Sequence, residues 1–222
     1  MRIKFQQSLD ELKERLLVMA GLVEQSIQRA TEAYASRDTG LCEMVILSEQ
    51  AVNRMEREID QAALDLLAMQ QPMAVDLRFI IAVTRINSDL ERVGDQAVNI
   101  AERVIELEGI PHTELPVDIP QLASLAAAMI RKALQSFIEA DADMAATVLT
   151  LDDQVDAMNS AAFRSLSALI SQKPEMTVQA LNALIISRNL ERVGDHATNI
   201  AEDVIFWVRG ADVRHGATFE AS

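Results

Sequence analysis

Two fifteen-residue stretches of the chain hold the residue types from which a chemical site can be built. Residues 90–104 read LERVGDQAVNIAERV and residues 190–204 read LERVGDHATNIAEDV, with twelve of fifteen positions identical at an offset of 100. On a helix turning about 100° per residue, Glu91, Asp95, Asn99 and Glu102 stack above one another, and Glu191, Asp195, Asn199 and Glu202 repeat the stack. The apolar positions of the same helices, such as Leu90, Val93, Ala97 and Ile100, lie on nearly the opposite side, so the acids are expected to face outward. Like charges four apart cost a helix roughly 0.2–0.5 kcal/mol per pair. The pair nevertheless occurs twice, while the first helices of the two halves have diverged widely. A face that no core packing requires, kept almost letter for letter, points to a ligand.

Carboxylate and amide oxygens without thiolates or clustered imidazoles are hard ligands for cations. Each stack is therefore expected to hold one or more metal ions, with the identity open among Fe, Mn, Mg, Ca, Zn and Ni. A neighbouring helix can add to each stack. Counting back from the turn at Gln71-Pro72, Glu49 and Asn53 reach the height of Glu91 and Asp95, and Asp152 and Asp156 stand at the equivalent height in the second half. A di-iron oxidase would need inward-pointing Glu-x-x-His pairs. His112, His196 and His215 follow Gly109, Val193 and Asp212 at that spacing, so no such pair exists, and His196 reads as an ordinary surface residue. There is no glycine-rich phosphate loop and no nucleophile with a positioned base, so no catalytic residue and no organic cofactor are assigned. The competing reading of the same acidic faces is a metal-dependent enzyme or a metal store.

The elements that carry these residues are helices. Apolar residues repeat every 3.5 positions along Leu9, Leu12, Leu16, Met19, Val23 in the first segment. Further seams run Leu41, Val45, Val52, Met55, Ile59, Ala62, Leu66, Met69 and Phe79, Val83, Ile86, Leu90, Val93, Ala97, Ile100, Val104. This is the spacing of bundle packing. Breaks fall at Arg37-Asp38-Thr39-Gly40, at Gln71-Pro72, at Lys173-Pro174 and at Gly210. The pattern predicts an all-α protein of six long helices in two tandem antiparallel three-helix bundles, a duplicated unit. Residues 1–108 form the first repeat, 109–119 the linker, 120–210 the second repeat and 211–222 a flexible tail. Gly94 and Gly194 lie singly inside helices, where glycine costs about 1 kcal/mol against alanine, so another helix is expected to approach them closely.

Composition narrows the function. The chain has 34 acidic and 20 basic residues, a net charge of −14, a field that repels phosphate backbones and argues against nucleic-acid binding. One cysteine, Cys42, precludes an intrachain disulfide and a thiolate cage and is expected to be an inert small residue. No charge-free stretch exceeds about 12 residues, too short to span a bilayer, so a cytoplasmic protein is expected.

Two copies of Leu-Glu-Arg-Val-Gly-Asp-x-Ala-x-Asn-Ile-Ala-Glu, each after a proline-marked turn, resemble the PhoU family of phosphate-signalling regulators. The stretch Gln70-Gln71-Pro72-Met73-Ala74-Val75-Asp76-Leu77-Arg78 is similar to that family's first repeat, and the resemblance covers roughly residues 5–210. It implies two similar three-helix bundles and a homodimer. It also implies a negative regulator of phosphate uptake and of the phosphate-starvation response, linking a Pst-type transporter, through its PstB-like ATPase, to a PhoR-like sensor histidine kinase. The family's signature of an acid, three residues and Asp falls on Glu91 to Asp95 and Glu191 to Asp195, where some members bind metal clusters. The second half departs from the pattern, carrying Lys173-Pro174-Glu175 where the first has the fuller proline-marked stretch.

Overall fold

The computed structural model describes residues 2–70 and 72–213. Six long helices follow in order: α1 (Arg2–Ser36), α2 (Thr39–Gln70), α3 (Val75–Ile105), α4 (Ile119–Glu139), α5 (Ala142–Gln172) and α6 (Thr177–Arg209), with one 3-10 turn at Pro174–Met176. The described residues contain no strand, and no helix among them is long and apolar enough to cross a membrane. Residues 214–222 of the expected tail, His215 included, lie outside the described residues.

Local chemistry sets the helix ends. Arg37 takes a left-handed φ of 58° and closes α1, and the Asp38 carboxylate then accepts from the amides of Gly40 (2.8 Å) and Leu41 (3.3 Å) to start α2. Asp118 caps α4 through the Gln121 amide at 2.9 Å, with Pro120 behind it, and Asp141 caps α5 through the amides of Asp143 and Met144, both at 2.9 Å. Each such cap stabilises by about 1 kcal/mol. Gly210, at φ 71°, ends α6.

The expected seams are the buried lines, with drift at their ends. Leu12, Leu16, Met19 and Val23 of α1, Val45 and Ile59 of α2, and Val83, Ile86, Leu90 and Val93 of α3 are all fully buried. On α2 the line shifts from Ala62 to Ala63, and Met69 at its end is 70% exposed. Helix α4 begins one residue inside the expected linker, because Ile119 is buried in the core. Cys42 is buried, and burial, with the Asp38 charge adding to it, pushes its thiol up and away from reactivity.

α3 and α6 form the centre. They run antiparallel against each other, and each also packs on the two other helices of its own half, while α1 touches α4. One continuous apolar core therefore runs through both halves. Phe79 (α3), Phe137 (α4) and Trp207 (α6) meet there with ring centroids 5.1–6.0 Å apart. A polar seam crosses the same α3–α6 contact. His196 Nδ1 lies 2.8 Å from Asp89 Oδ1, Asn199 donates to the same oxygen at 3.1 Å, and Arg85 pairs with Asp203 at 3.0 Å. His196 is only 7% exposed, so the expectation of a surface histidine is corrected. Its ring lies on the side of α6 that packs against α3, where Asp89 meets it.

Candidate metal centres

Gly194 makes the second-half centre possible. A Cβ placed on it would sit 3.3 Å from Val155 Cγ1 and 3.6 Å from Asp152 Oδ1, so the missing side chain lets α5 close on α6 at this height. The approach gathers Asp152 and Asp156 from α5 with Asp195 from α6, one carboxylate oxygen of each lying within 4.8 Å of the others. Glu191, one turn before Asp195, is 9% exposed. One of its oxygens accepts from Arg188 Nη1 at 2.5 Å, whereas its Oε2 and Asp152 Oδ1 are buried without any hydrogen-bond partner.

The electrostatics match that crowding. Burial, then the charges of Asp156, Asp195 and Asp153, push the Asp152 carboxyl up to about 6. Burial and Asp195 raise Glu191, against the lowering effect of Arg188. Burial and Asp156 raise Asp195, partly offset by His196, Arg188 and Arg192. Buried carboxylate oxygens with no donor are costly. A hard cation is the group that turns such a set from repulsion into coordination, so these residues fit one.

The first half repeats the plan more loosely. A Cβ on Gly94 would lie 3.4 Å from Val52 Cγ1, so α2 approaches α3 as α5 approaches α6. Glu91 is raised by burial and by Asp95, Glu56 and Glu49, with Arg92 opposing; Glu56 is raised by burial and by Asp60 and Asp95, with Arg57 opposing; and Asp95 is raised by burial. Asn53 Oδ1 is buried and unpartnered in the same place. Glu49, Asn53, Glu91 and Asp95 thus belong to one neighbourhood, which includes Glu56, a residue that sequence reasoning missed. Its signal is present all the same: Glu56 follows Glu49 by seven and Asn53 by three, on one helix face. Among the described residues, only the second half brings three carboxylates within 4.8 Å.

The upper parts of the two stacks do not join these centres, and the outward expectation holds only in part: Glu191 is buried and Glu91 and Asp95 are half-buried, whereas Asp195 and Glu102 are exposed. A step of four residues advances about 40° around the helix, so eight residues carry the stack about 80° from its start. Glu191 and Asp195 consequently face α5, while Asn199 has turned to α3 and donates to Asp89. Glu202 stands about 16 Å along the axis from Glu191 and lines a separate cavity with Arg85, Asp89, Arg92 and Asp203. On α3, Asn99 is half-buried at the matching position and Glu102 is exposed, 3.8 Å from Arg103.

The PhoU family model, described as the PhoU domain, matches residues 16–104 and again 119–204. The phosphate-specific transport system accessory protein PhoU homolog of Pseudomonas aeruginosa is 40% identical over 217 residues, 96% of this chain and 88% of that protein. The accessory protein PhoU of Escherichia coli K12 is 31% identical over 96% of this chain and 88% of its own length. The crystal structure of PhoU from Pseudomonas aeruginosa superposes with a TM-score of 0.90 at 38% identity, covering 93% of this chain and 100% of that one. That of the phosphate transport system regulatory protein PhoU from Streptococcus pneumoniae gives 0.87 at 30% identity, covering 94% and 99%. Two matched repeats, one in each three-helix half, and relatives aligned over nearly the whole length lead to one conclusion: the chain belongs to the PhoU family.

Proposed function

We propose that this protein is a cytoplasmic accessory regulator of phosphate transport that restrains uptake and the starvation response when phosphate is plentiful. It works by protein contacts and not by catalysis, as a homodimer joining a PstB-like transporter ATPase to a PhoR-like histidine kinase. The observation that carries this reading is the similarity to phosphate-transport accessory proteins along 96% of the chain. Each half would hold hard cations. Asp152, Asp156, Glu191 and Asp195 would serve in one centre, and Glu49, Asn53, Glu56, Glu91 and Asp95 in the other. A bound cation supplies positive charge that cancels the repulsion among these acids. The chain's own part is to fix α5 against α6 and α2 against α3, so that a partner meets a rigid acidic face.

Deleting the gene and measuring phosphate uptake and alkaline phosphatase in rich phosphate tests the reading. Raised phosphatase, restored to repression by the plasmid-borne gene, is expected. Fully repressed phosphatase in the deletion strain overturns the regulatory reading.

A further inference from the structure

Beyond the acidic centre, α5 and α6 leave an open groove of about 920 Å³. Phe163 and Arg164 line it from α5, and Ile185, Arg188 and Arg192 from α6; no Asp or Glu is among its lining residues. Phe163 is 63% exposed, and Ile185, Leu181 and Val178 continue an exposed apolar strip toward the start of α6. Arg188 pairs with Glu191, while Arg164 and Arg192 form no ion pair among the described residues.

The first repeat shows that this is not what the fold demands. The Val52–Gly94 and Val155–Gly194 contacts set the equivalence: α5 matches α2 at an offset of 103, and α6 matches α3 at 100. Asp60 then stands where the second repeat has Phe163, Gln61 for Arg164, Arg78 for Val178, Arg85 for Ile185 and Ser88 for Arg188. Three of those polar residues are used internally. Arg85 pairs with Asp203, Arg78 donates to the Trp207 carbonyl, and Asp60 accepts from Asn87. In the second repeat the same face is apolar and basic.

Charge and shape decide what fits. The chain carries −14 overall, so this groove is a local positive, apolar spot on an acidic protein. The groove runs about 12 Å along α6 from Leu184 to Arg192, and the exposed strip extends it to Val178, about 21 Å in all, the length of a helix of about 14 residues. Arg188 and Arg192 stand toward one end, whereas Arg164 stands beside Phe163 nearer the apolar end, because α5 runs antiparallel to α6 with Asn159 on Ser187 and Val155 on Gly194. A flat anionic bilayer would meet the Asp156 and Asp195 carboxylates one turn from the arginines, and a concave groove gives it little contact. We propose that the groove docks an amphipathic helical segment of another protein, apolar toward one end and acidic toward the other. Its apolar anchors lie on Phe163 and Ile185, its acidic end meets Arg188 and Arg192, and a carboxylate beside the anchors meets Arg164.

Fluorescence anisotropy on the full-length protein tests this with a labelled helical peptide of about 14 residues. The peptide carries Leu and Phe at i, i+3 and i+7 with one Glu beside them, and two Glu toward the other end; a scrambled peptide and one with Lys for Glu serve as controls. Micromolar binding is expected, weakened by salt, and weaker by tenfold or more with either control peptide. Phe163→Asp and Ile185→Arg, which install the first repeat's residues, are expected to weaken it by tenfold or more, and Arg164→Gln severalfold. All three side chains are exposed, so the melting curves stay superimposable, and Arg164→Gln alone keeps the test open should Ile185→Arg disturb the fold. No binding below millimolar, equal binding of the scrambled peptide, or unchanged binding by the variants overturns the proposal. So does sedimentation showing a dimer of this chain that Phe163→Asp splits, which would give the groove to a second copy. Vesicles of phosphatidylglycerol that capture the wild type but not Phe163→Asp would give it to a bilayer and overturn the proposal equally.

Discussion

Val155 Cγ1 lies 3.3 Å from where a side chain on Gly194 would begin, and this contact sets the distance between the two helices that share the second-half carboxylates. Gly194→Leu is expected to force α5 away, costing about 1–3 kcal/mol by overpacking, and to weaken metal binding because Asp152 and Asp156 move with α5. Gly21, in the middle of α1, is the control, because a Cβ added there would meet nothing within 4 Å. Gly21→Ala is expected to stabilise by about 0.5–1 kcal/mol through helix propensity alone. Urea denaturation of both variants checks the opposite signs.

The buried pair Asp89–His196 predicts a second cost. His196→Leu leaves the Asp89 carboxylate buried with Asn199 as its remaining donor, and a loss of about 2–4 kcal/mol is expected. Replacing both partners, Asp89→Leu with His196→Leu, is expected to recover a large part of that loss, because no charge is then left unpaired. A double-mutant cycle measured by denaturation decides it. Additive losses would mean that the pair contributes no coupling.

The aromatic trio gives the test of the fused core. Phe137 is fully buried between Phe79 and Trp207 and lies under the Lys13 ammonium at 5.6 Å. Phe137→Ala is expected to cost about 3–5 kcal/mol. Because one core runs through both halves, the variant is expected to melt in a single transition at lower temperature. Calorimetry resolving two separate transitions would show halves that unfold independently.

Much of this architecture is legible in residues 1–210, and what is not has physical causes. Proline and glycine mark the ends of α2, α5 and α6, and 3.5-residue seams mark which side of each helix is buried, because both are local properties. Periodicity gives an angle around a helix axis but does not say which helix occupies that angle. Asp95 and Asn99 differ by only about 40°, yet the matching step on α6 separates Asp195, which faces α5, from Asn199, which is bonded to α3. A strict heptad also drifts about 20° per repeat on a straight helix. Over the four heptads from Leu41 to Met69 that drift carries the seam off the core, which accounts for buried Ala63 beside half-buried Ala62 and for exposed Met69. Glu56 escapes sequence reasoning for the opposite reason: an acid on a long helix gains meaning only when Asp95 is seen across from it.

Asp152 makes the metal-free protein sensitive to pH. Its carboxyl is raised to about 6 in the fold, above the ordinary value of 3.8, so the native state holds this proton more tightly than the unfolded chain does. Native stability is therefore highest below pH 3.8 as far as this group is concerned and falls as pH rises from about 4 to 6. The loss is of the order of 1 kcal/mol once solvent screening of a partly exposed site is allowed for. Asp152→Asn is expected to remove that slope from the metal-free protein and raise its stability at pH 7. Chemical denaturation in chelator at pH 5 and pH 7 measures both.

Metal binding itself separates the residues that share a centre from those that merely share a motif. Coordination needs ionised carboxylates, so affinity for Mn²⁺ is expected to rise with pH through about 6, where Asp152 loses its proton. Asp152→Asn or Asp195→Asn removes one of three carboxylates lying within 4.8 Å and is expected to weaken second-half binding by tenfold or more. Asn199→Ala and Glu202→Gln, whose side chains face the α3 side, are expected to leave that affinity unchanged. The first half, without an equally tight trio, is expected to bind more weakly, so titration of the wild type should show two classes of site. Calorimetric titration with Mn²⁺ on the wild type and these four variants reads every term. Equal losses for Asn199→Ala and Asp195→Asn would mean that the whole stack acts as one site, and no heat below millimolar Mn²⁺, Fe²⁺ or Mg²⁺ would leave the buried oxygens of Asp152 and Glu191 to be met by a protein partner's donors.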